Sequence, residues 1–242
     1  MKKLIVLLIG FAFVGLVIMI APDDRASAVK DRYYYEKTGE ILWEIKTEEK
    51  VVALTFDDGP HPIYTAEILD LLEKYDAKAT FFVVGENVEK YSETLLRQYN
   101  EGHEIANHTY THPLKTTIGK LEKELKKTED IIFSVIGMNT ELFRPVEGQY
   151  TDGMIKKVVK NGYKVVMWSW HQDTEDWKSP GVQKIKDVVL EGVQPGNIVL
   201  FHDGGGDRSQ TVEALQKILP ELQKQGYEFV TVSELMKMGN IQ

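Results

Sequence analysis

The chain has 242 residues, 43% hydrophobic and 27% charged, which suits one sizeable globular domain. A formal net charge of -8 argues against a general nucleic-acid binder, which needs a basic face or stripe. With no cysteine, disulfides, thiolate metal sites and a cysteine nucleophile are excluded, so any metal must be held by His and carboxylate groups.

In chain order, two lysines are followed by an uncharged apolar run from Leu4 to Ala21, then Pro22 and two acids. Residues 1–28 therefore read as an export signal or a membrane anchor. The "ASA" at Ala26 to Ala28 suits cleavage, and the length of the apolar run suits a bilayer. Lysines before the run and acids after it would send the body outside the cytoplasm in either case. Residues 29–48 are polar with scattered aromatics, including Tyr33 to Tyr35, and read as a linker with one short strand at Ile41 to Ile45.

From residue 49 to 242 the pattern is regular. Apolar runs rich in Val, Ile, Phe and Trp fall at 51–56, 80–84, 104–106, 142–144, 163–170, 197–201 and 228–232. Amphipathic segments fall between them at 63–75, 86–100, 117–136, 152–161, 181–191 and 208–225, with a last one at 233–238. Within 117–136, "KLEKELKKTED" reads as a solvated helix face. Strands alternating with helices imply βαβ units and an α/β fold with predominantly parallel strands, either a barrel or an open sheet. In both architectures the functional groups gather at the carboxyl ends of the strands.

Those ends carry the chemistry. The first strand runs into Asp57-Asp58, the third into His108 and His112, and the fourth into Arg144. The fifth leads to Asp173, Asp176 and Trp177, and the sixth to Leu200 and His202. His108 and His112 are four apart, so one helical turn would aim both rings at one point. Two His and one carboxylate from the Asp57-Asp58 pair give three protein ligands with a position left open, as in catalytic zinc sites. The second aspartate is then free to act as a base. His61, His103 and His171 read as loop or surface residues, and the "GGGDR" segment, Gly204 to Arg208, reads as a flexible rim.

The series "TFDDG", "HTYTH", Arg-Pro-x-x-Gly, "DTEDW" and "LFH" resembles the five motifs of the polysaccharide deacetylases, the NodB-homology domains of carbohydrate esterase family four. The resemblance spans roughly Val51 to Met238. It implies a distorted (β/α)7 barrel and a metal-dependent enzyme that removes acetyl groups from N-acetylated sugars of peptidoglycan or chitin oligomers. It further implies that Asp58, His108 and His112 bind a divalent metal, zinc first, with cobalt or another first-row ion admitted. Asp57 is then the general base, tethered by Arg144. His202 is the general acid, oriented by Asp176, with Trp177 and Leu200 walling the acetyl pocket. One motif departs from the pattern: the family's Arg-Pro-Pro-Tyr-Gly is "RPVEG" here, with Val146 and Glu147 replacing Pro and Tyr. Glu147 can still offer its backbone N–H to an oxyanion, but it adds a negative charge beside the metal. That departure leaves an alternative open: a glycan-binding relative that keeps the metal and has lost the chemistry.

Overall fold

The computed structural model describes residues 30–239. The reading of residues 1–28 lies outside the described residues, none of whose helices is long and apolar enough to cross a membrane. The elements run α1 (Arg32–Thr38), β1 (Ile41–Leu42), β2 (Val51–Asp57), α2 (Tyr64–Lys74), β3 (Ala79–Val83), α3 (Gly85–Lys90), α4 (Ser92–Asn100) and β4 (Glu104–Asn107). They continue with α5 (Ile118–Ile136), β5 (Leu142–Phe143), α6 (Asp152–Lys160), β6 (Lys164–Val166), α7 (Val182–Gly192), β7 (Ile198–His202), α8 (Ser209–Lys224), β8 (Glu228–Phe229) and α9 (Val232–Met238).

The sheet order is β1-β6-β5-β4-β3-β2-β7, with β8 beside β2, and the paired strands run parallel. The expected distorted barrel forms, and its distortion lies at the seam between β7 and the β1–β6 edge of the sheet. Among the described residues no ladder closes that seam. Isolated bridges do, at Asp173 with Leu200 and at Glu44 with Asn197, together with a 3.0 Å bond from the Ser169 N–H to the Ile198 carbonyl.

Period-two alternation sorts the strand residues into two layers. Leu54, Phe56, Phe81, Val83, Val199 and Phe201 join the large apolar cluster under the helices. Phe56 stacks between Phe81 and Phe201, at 5.0 and 5.6 Å between ring centroids. The intervening positions, including Ala53, Phe82, Ala106 and Ile198, face the barrel interior. Continuing that alternation puts Asp57 and His202 on the inner side too, and the strand register makes them direct partners.

Three sequence expectations change. Residues 30–48 are not a linker. Asp31 caps α1 by accepting from the Tyr34 N–H, Gly39 ends it at φ 68°, and Ile41 pairs with Val165. Tyr35 is buried and donates its hydroxyl to Asp152 at 2.5 Å. A seven-residue helix is too short to display an apolar repeat, which hid it. The strand expected over 163–170 ends at Val166, because the carbonyls of Val166 and Met167 accept from the Arg144 guanidinium instead of extending a ladder. The run at 228–232 is cut short where Thr231 forms a capping box with Glu234 and starts α9.

Candidate active site

The base and acid positions sit on neighbouring strands. Asp57 ends β2 buried, and its Oδ1 accepts from Arg144 Nη1 at 2.7 Å. Arg144 is wholly enclosed and spends its other donors on Thr55 Oγ1 at 2.9 Å and on the Val166 and Met167 carbonyls. Its guanidinium also lies 4.0 Å from the Phe82 ring centroid. A buried cation with every guanidinium nitrogen hydrogen-bonded holds one carboxylate in one place. Across from it, His202 Nδ1 meets Asp176 Oδ1 at 2.7 Å. Asp176 Oδ2 accepts from the His202 N–H at 2.9 Å and from Thr211 Oγ1 at 2.7 Å. Burial works against the imidazolium, but the Asp176 hydrogen bond and charge prevail and push His202 up to about 9. With Nδ1 taken, His202 has Nε2 left for chemistry.

Asp58 follows directly, at φ 75°, so its side chain diverges from that of Asp57. Its Oδ1 lies 3.1 Å from His112 Nε2 and 3.6 Å from His108 Nε2, and Oδ1 is buried without a hydrogen-bond partner. Asp58, His108 and His112 can each offer one ligand atom within 4.8 Å of the others. His108 Nδ1 lies 2.8 Å from the Arg144 carbonyl, a bond that requires the proton on Nδ1 and leaves the Nε2 lone pair facing Asp58. Burial is the chief influence on His108 and keeps it below its ordinary pKa, hence neutral. An orphaned carboxylate oxygen facing a deprotonated ring nitrogen is the donor set a divalent cation completes, and the residues fit one.

The two histidines do converge, with ring centroids 5.2 Å apart, but not on a helical turn. They lie on a loop in which Thr109 and His112 take φ 70° and 52°. Asp58, Thr109, His112 and Glu147 share this left-handed conformation, so strain collects around the cleft. The cleft itself is lined by Asp57, Asp58, His108, His112, Glu147, Trp168, Asp173, Trp177, Leu200, His202 and Arg208. Leu200 is buried and Trp177 half exposed, so the two form an apolar wall with a wet edge. Glu147 sits on the rim at φ 52°, and its Oε2 accepts from the Gln149 side chain at 2.8 Å. Gly148 follows at φ 65°, where a Cβ would meet Met167 and Trp168 at 2.9 Å.

Among residues read as ordinary, His61 caps α2, its Nδ1 accepting from the Ile63 and Tyr64 N–H groups. His103 is buried and held down to about 4, mostly by burial, and its Nδ1 accepts from the Ala79 N–H. His171 bonds Asn197 outside the cleft. Sequence reasoning missed three residues. Trp168 lines the cleft from the stretch expected to be strand. Arg208 folds back under the rim, its Nε donating to the Gly204 carbonyl at 2.7 Å. Asp203 is buried behind the Asp58-Gly59 turn, where burial first and then Asp58 and Asp57 push its carboxyl up to about 7. Its Oδ2 accepts from Thr65, and a side chain at Gly59 would collide with it. The doublet "HD" at 202–203 was the available signal for Asp203.

Residues able to hold a cation, with a carboxylate on one wall and a carboxylate-backed imidazole on the other, suit the class of hydrolases that activate water. Within that class the chain belongs to the polysaccharide deacetylase family, whose model matches residues 44–166. A peptidoglycan-N-acetylglucosamine deacetylase of Bacillus cereus is 48% identical over 204 residues, covering 84% of this chain and 95% of that protein. The crystal structure of the Bc1960 peptidoglycan N-acetylglucosamine deacetylase superposes with TM-score 0.81 at 34% identity, over 87% of this chain and 99% of that one. BA3943 of Bacillus anthracis, described as a CE4 family pseudoenzyme, superposes with TM-score 0.75 at 29% identity, over 83% of this chain and 70% of its own. The fold therefore hosts active and inactive members, and the side chains have to decide between them.

Proposed function

We propose that the protein is an exported, metal-dependent deacetylase acting on N-acetylhexosamines of a cell-wall glycan, with the N-acetylglucosamine of peptidoglycan as its substrate. One observation carries this reading: Asp57 and His202 are register partners on adjacent strands, with the Asp58, His108 and His112 ligand atoms gathered beside them. A divalent cation, zinc or a similar first-row ion, bound there by those three residues would polarise the acetamide carbonyl and acidify water. Asp57, fixed by Arg144, accepts a proton from the water as it attacks the carbonyl carbon. His202 Nε2, protonated because Asp176 backs it, delivers a proton to the sugar nitrogen as the C–N bond breaks. Acetate and a free amine result. Leu200, Trp177 and Trp168 enclose the acetyl methyl, and an apolar wall there disfavours larger or charged acyl groups.

The names of the relatives support the substrate, and an amino-terminal segment resembling an export signal or anchor suits a polymer outside the membrane. The rival reading, a catalytically weak glycan binder, draws on Glu147 in the position of the family's Tyr. Acetate release decides between them. Purified protein incubated with peptidoglycan or chitooligosaccharide should release acetate, stop with chelator and resume with added zinc or cobalt. No acetate from either glycan by the metal-loaded protein overturns the proposal.

A further inference from the structure

The loop carrying His112 is buried at Thr109 and Tyr110, whose carbonyls accept from the Gly85 and Glu86 N–H groups at 3.0 Å, and opens to solvent from Thr111 on. A half-open cavity lies against it, lined by Thr109, Pro113, Thr116, Phe143, Tyr150 and Met154 among others. His112 holds φ 52°, a left-handed conformation in a non-glycine residue, and Pro113 directly follows, which restricts it further. A ligand in such a conformation needs ties from outside the loop. Asn107 supplies one at the near end, its Oδ1 accepting from the Thr109 N–H at 2.9 Å.

At the far end the ties come from Glu124, on α5. Its Oε2 accepts from the Tyr110 N–H at 2.9 Å and the Thr111 N–H at 2.7 Å, and its Oε1 accepts from Thr111 Oγ1 at 3.0 Å. These three bonds fix the Thr109–Tyr110 and Tyr110–Thr111 peptides, one link ahead of His112. Glu124 lies in the segment whose sequence reads as a solvated helix face, yet it is half-buried and directed at this loop. Hydrogen bonds from backbone N–H groups to a carboxylate are charge-assisted, roughly twice as strong as neutral ones.

We infer that Glu124 is a positioning residue for the cation site: it sets the direction of His112 Nε2 toward Asp58 by clamping the Tyr110–Thr111 backbone. The inference rests on the metal-site reading above. Loss of an outer partner of a ligand costs about 10- to 100-fold in metal affinity. Glu124→Ala should therefore weaken cobalt binding by about 10-fold or more and alter the cobalt absorption bands, which report ligand geometry.

The test titrates cobalt(II) into the metal-free full chain, with chelator competition and visible absorption as readouts. Glu124→Gln keeps an oxygen for the two N–H groups and an amide for the Thr111 hydroxyl, so it should recover most of the affinity and the wild-type spectrum. Glu122→Gln, on the same helix but paired with Lys157, should bind as wild type. Glu124→Asp, one methylene short of the loop, carries the test if the alanine variant does not fold, and measurably weaker binding is expected of it. Wild-type affinity and spectrum in Glu124→Ala or Glu124→Asp overturn the inference while leaving the metal site intact. If the wild-type chain itself binds no cobalt, the metal-site reading fails first and this inference falls with it.

Discussion

His108 is buried and His202 half-buried, yet both use Nδ1 to fix the ring and both present Nε2 to one cleft. They differ in what receives Nδ1. For His202 it is the Asp176 carboxylate, and for His108 it is the Arg144 carbonyl. A carboxylate stabilises the imidazolium and a carbonyl only orients a neutral ring, so the first is pushed up to about 9 and the second is held below the ordinary range. One fold thus makes an acid and a metal ligand from the same side chain by choosing its partner. Arg144 joins the two halves: its carbonyl seats His108 and its guanidinium seats Asp57.

The division of labour is sharpened most by removing the group that belongs to neither histidine. Asp57→Asn keeps the shape and the Arg144 contact but cannot accept the water's proton. General-base catalysis contributes about 10²- to 10⁴-fold, so kcat should fall by that factor. Cobalt affinity should stay near wild type, because Asp58 rather than Asp57 faces both Nε2 atoms most closely, at 3.1 and 3.6 Å. An equal loss of metal and rate, measured by chelator competition beside acetate release, would move Asp57 into the ligand set.

Asp176→Asn attacks the acid half of the comparison. His202 must be protonated to donate, so activity falls as pH rises through its pKa. The asparagine variant loses the interaction that raises that pKa, and burial, which lowers it, remains. A fall from about 9 to the ordinary 6.5 would cut the protonated fraction about 30-fold one unit below the wild-type limb. A bound cation lowers both limbs, since like charge disfavours imidazolium, and leaves their order unchanged. Stability has the same sign. In the metal-free protein the raised pKa contributes stability that is full below 6.5 and is lost as pH rises through about 9. An alkaline limb that does not move in a pH–rate series on the variant would show that His202 is not the acid.

Much of this was legible before any coordinates. The Asp57-Asp58 doublet stands out because it ends an apolar run, and the alternation that buries Leu54 and Phe56 under the helices turns Asp57 inward. The motif order also put Arg144 and His202 at the ends of β5 and β7, whereas Asp176 lies in a turn well beyond β6 and reaches His202 from there. Spacing misled at His108 and His112, because i to i+4 is equally met by a loop that doubles back through left-handed residues, and Pro113 disfavours a helix there. Glu124 was illegible for a different reason. A helix face with alternating charges looks solvated until a loop from elsewhere in the fold is laid across it, and no local pattern records that approach. The same holds for Tyr35, whose partner Asp152 is distant in sequence.

Glu147 tests whether the cleft is a working enzyme at all. It occupies the rim in a left-handed turn, held to Gln149, where the family motif carries Tyr. An added carboxylate near the cleft opposes anionic substrates by a partly screened charge interaction, worth far less than a lost catalytic group. Glu147→Tyr in an active enzyme should therefore alter kcat/KM by only several-fold. The change should depend on the substrate: larger for peptidoglycan, with its carboxylate-bearing neighbours, than for neutral chitooligosaccharide, and smaller at high salt. In a catalytically weak relative the same substitution would instead raise kcat on both glycans from a low baseline, whatever the salt. Side-by-side kinetics on the two polymers at two ionic strengths separate these outcomes, because a charge effect is screened and a restored catalytic contact is not.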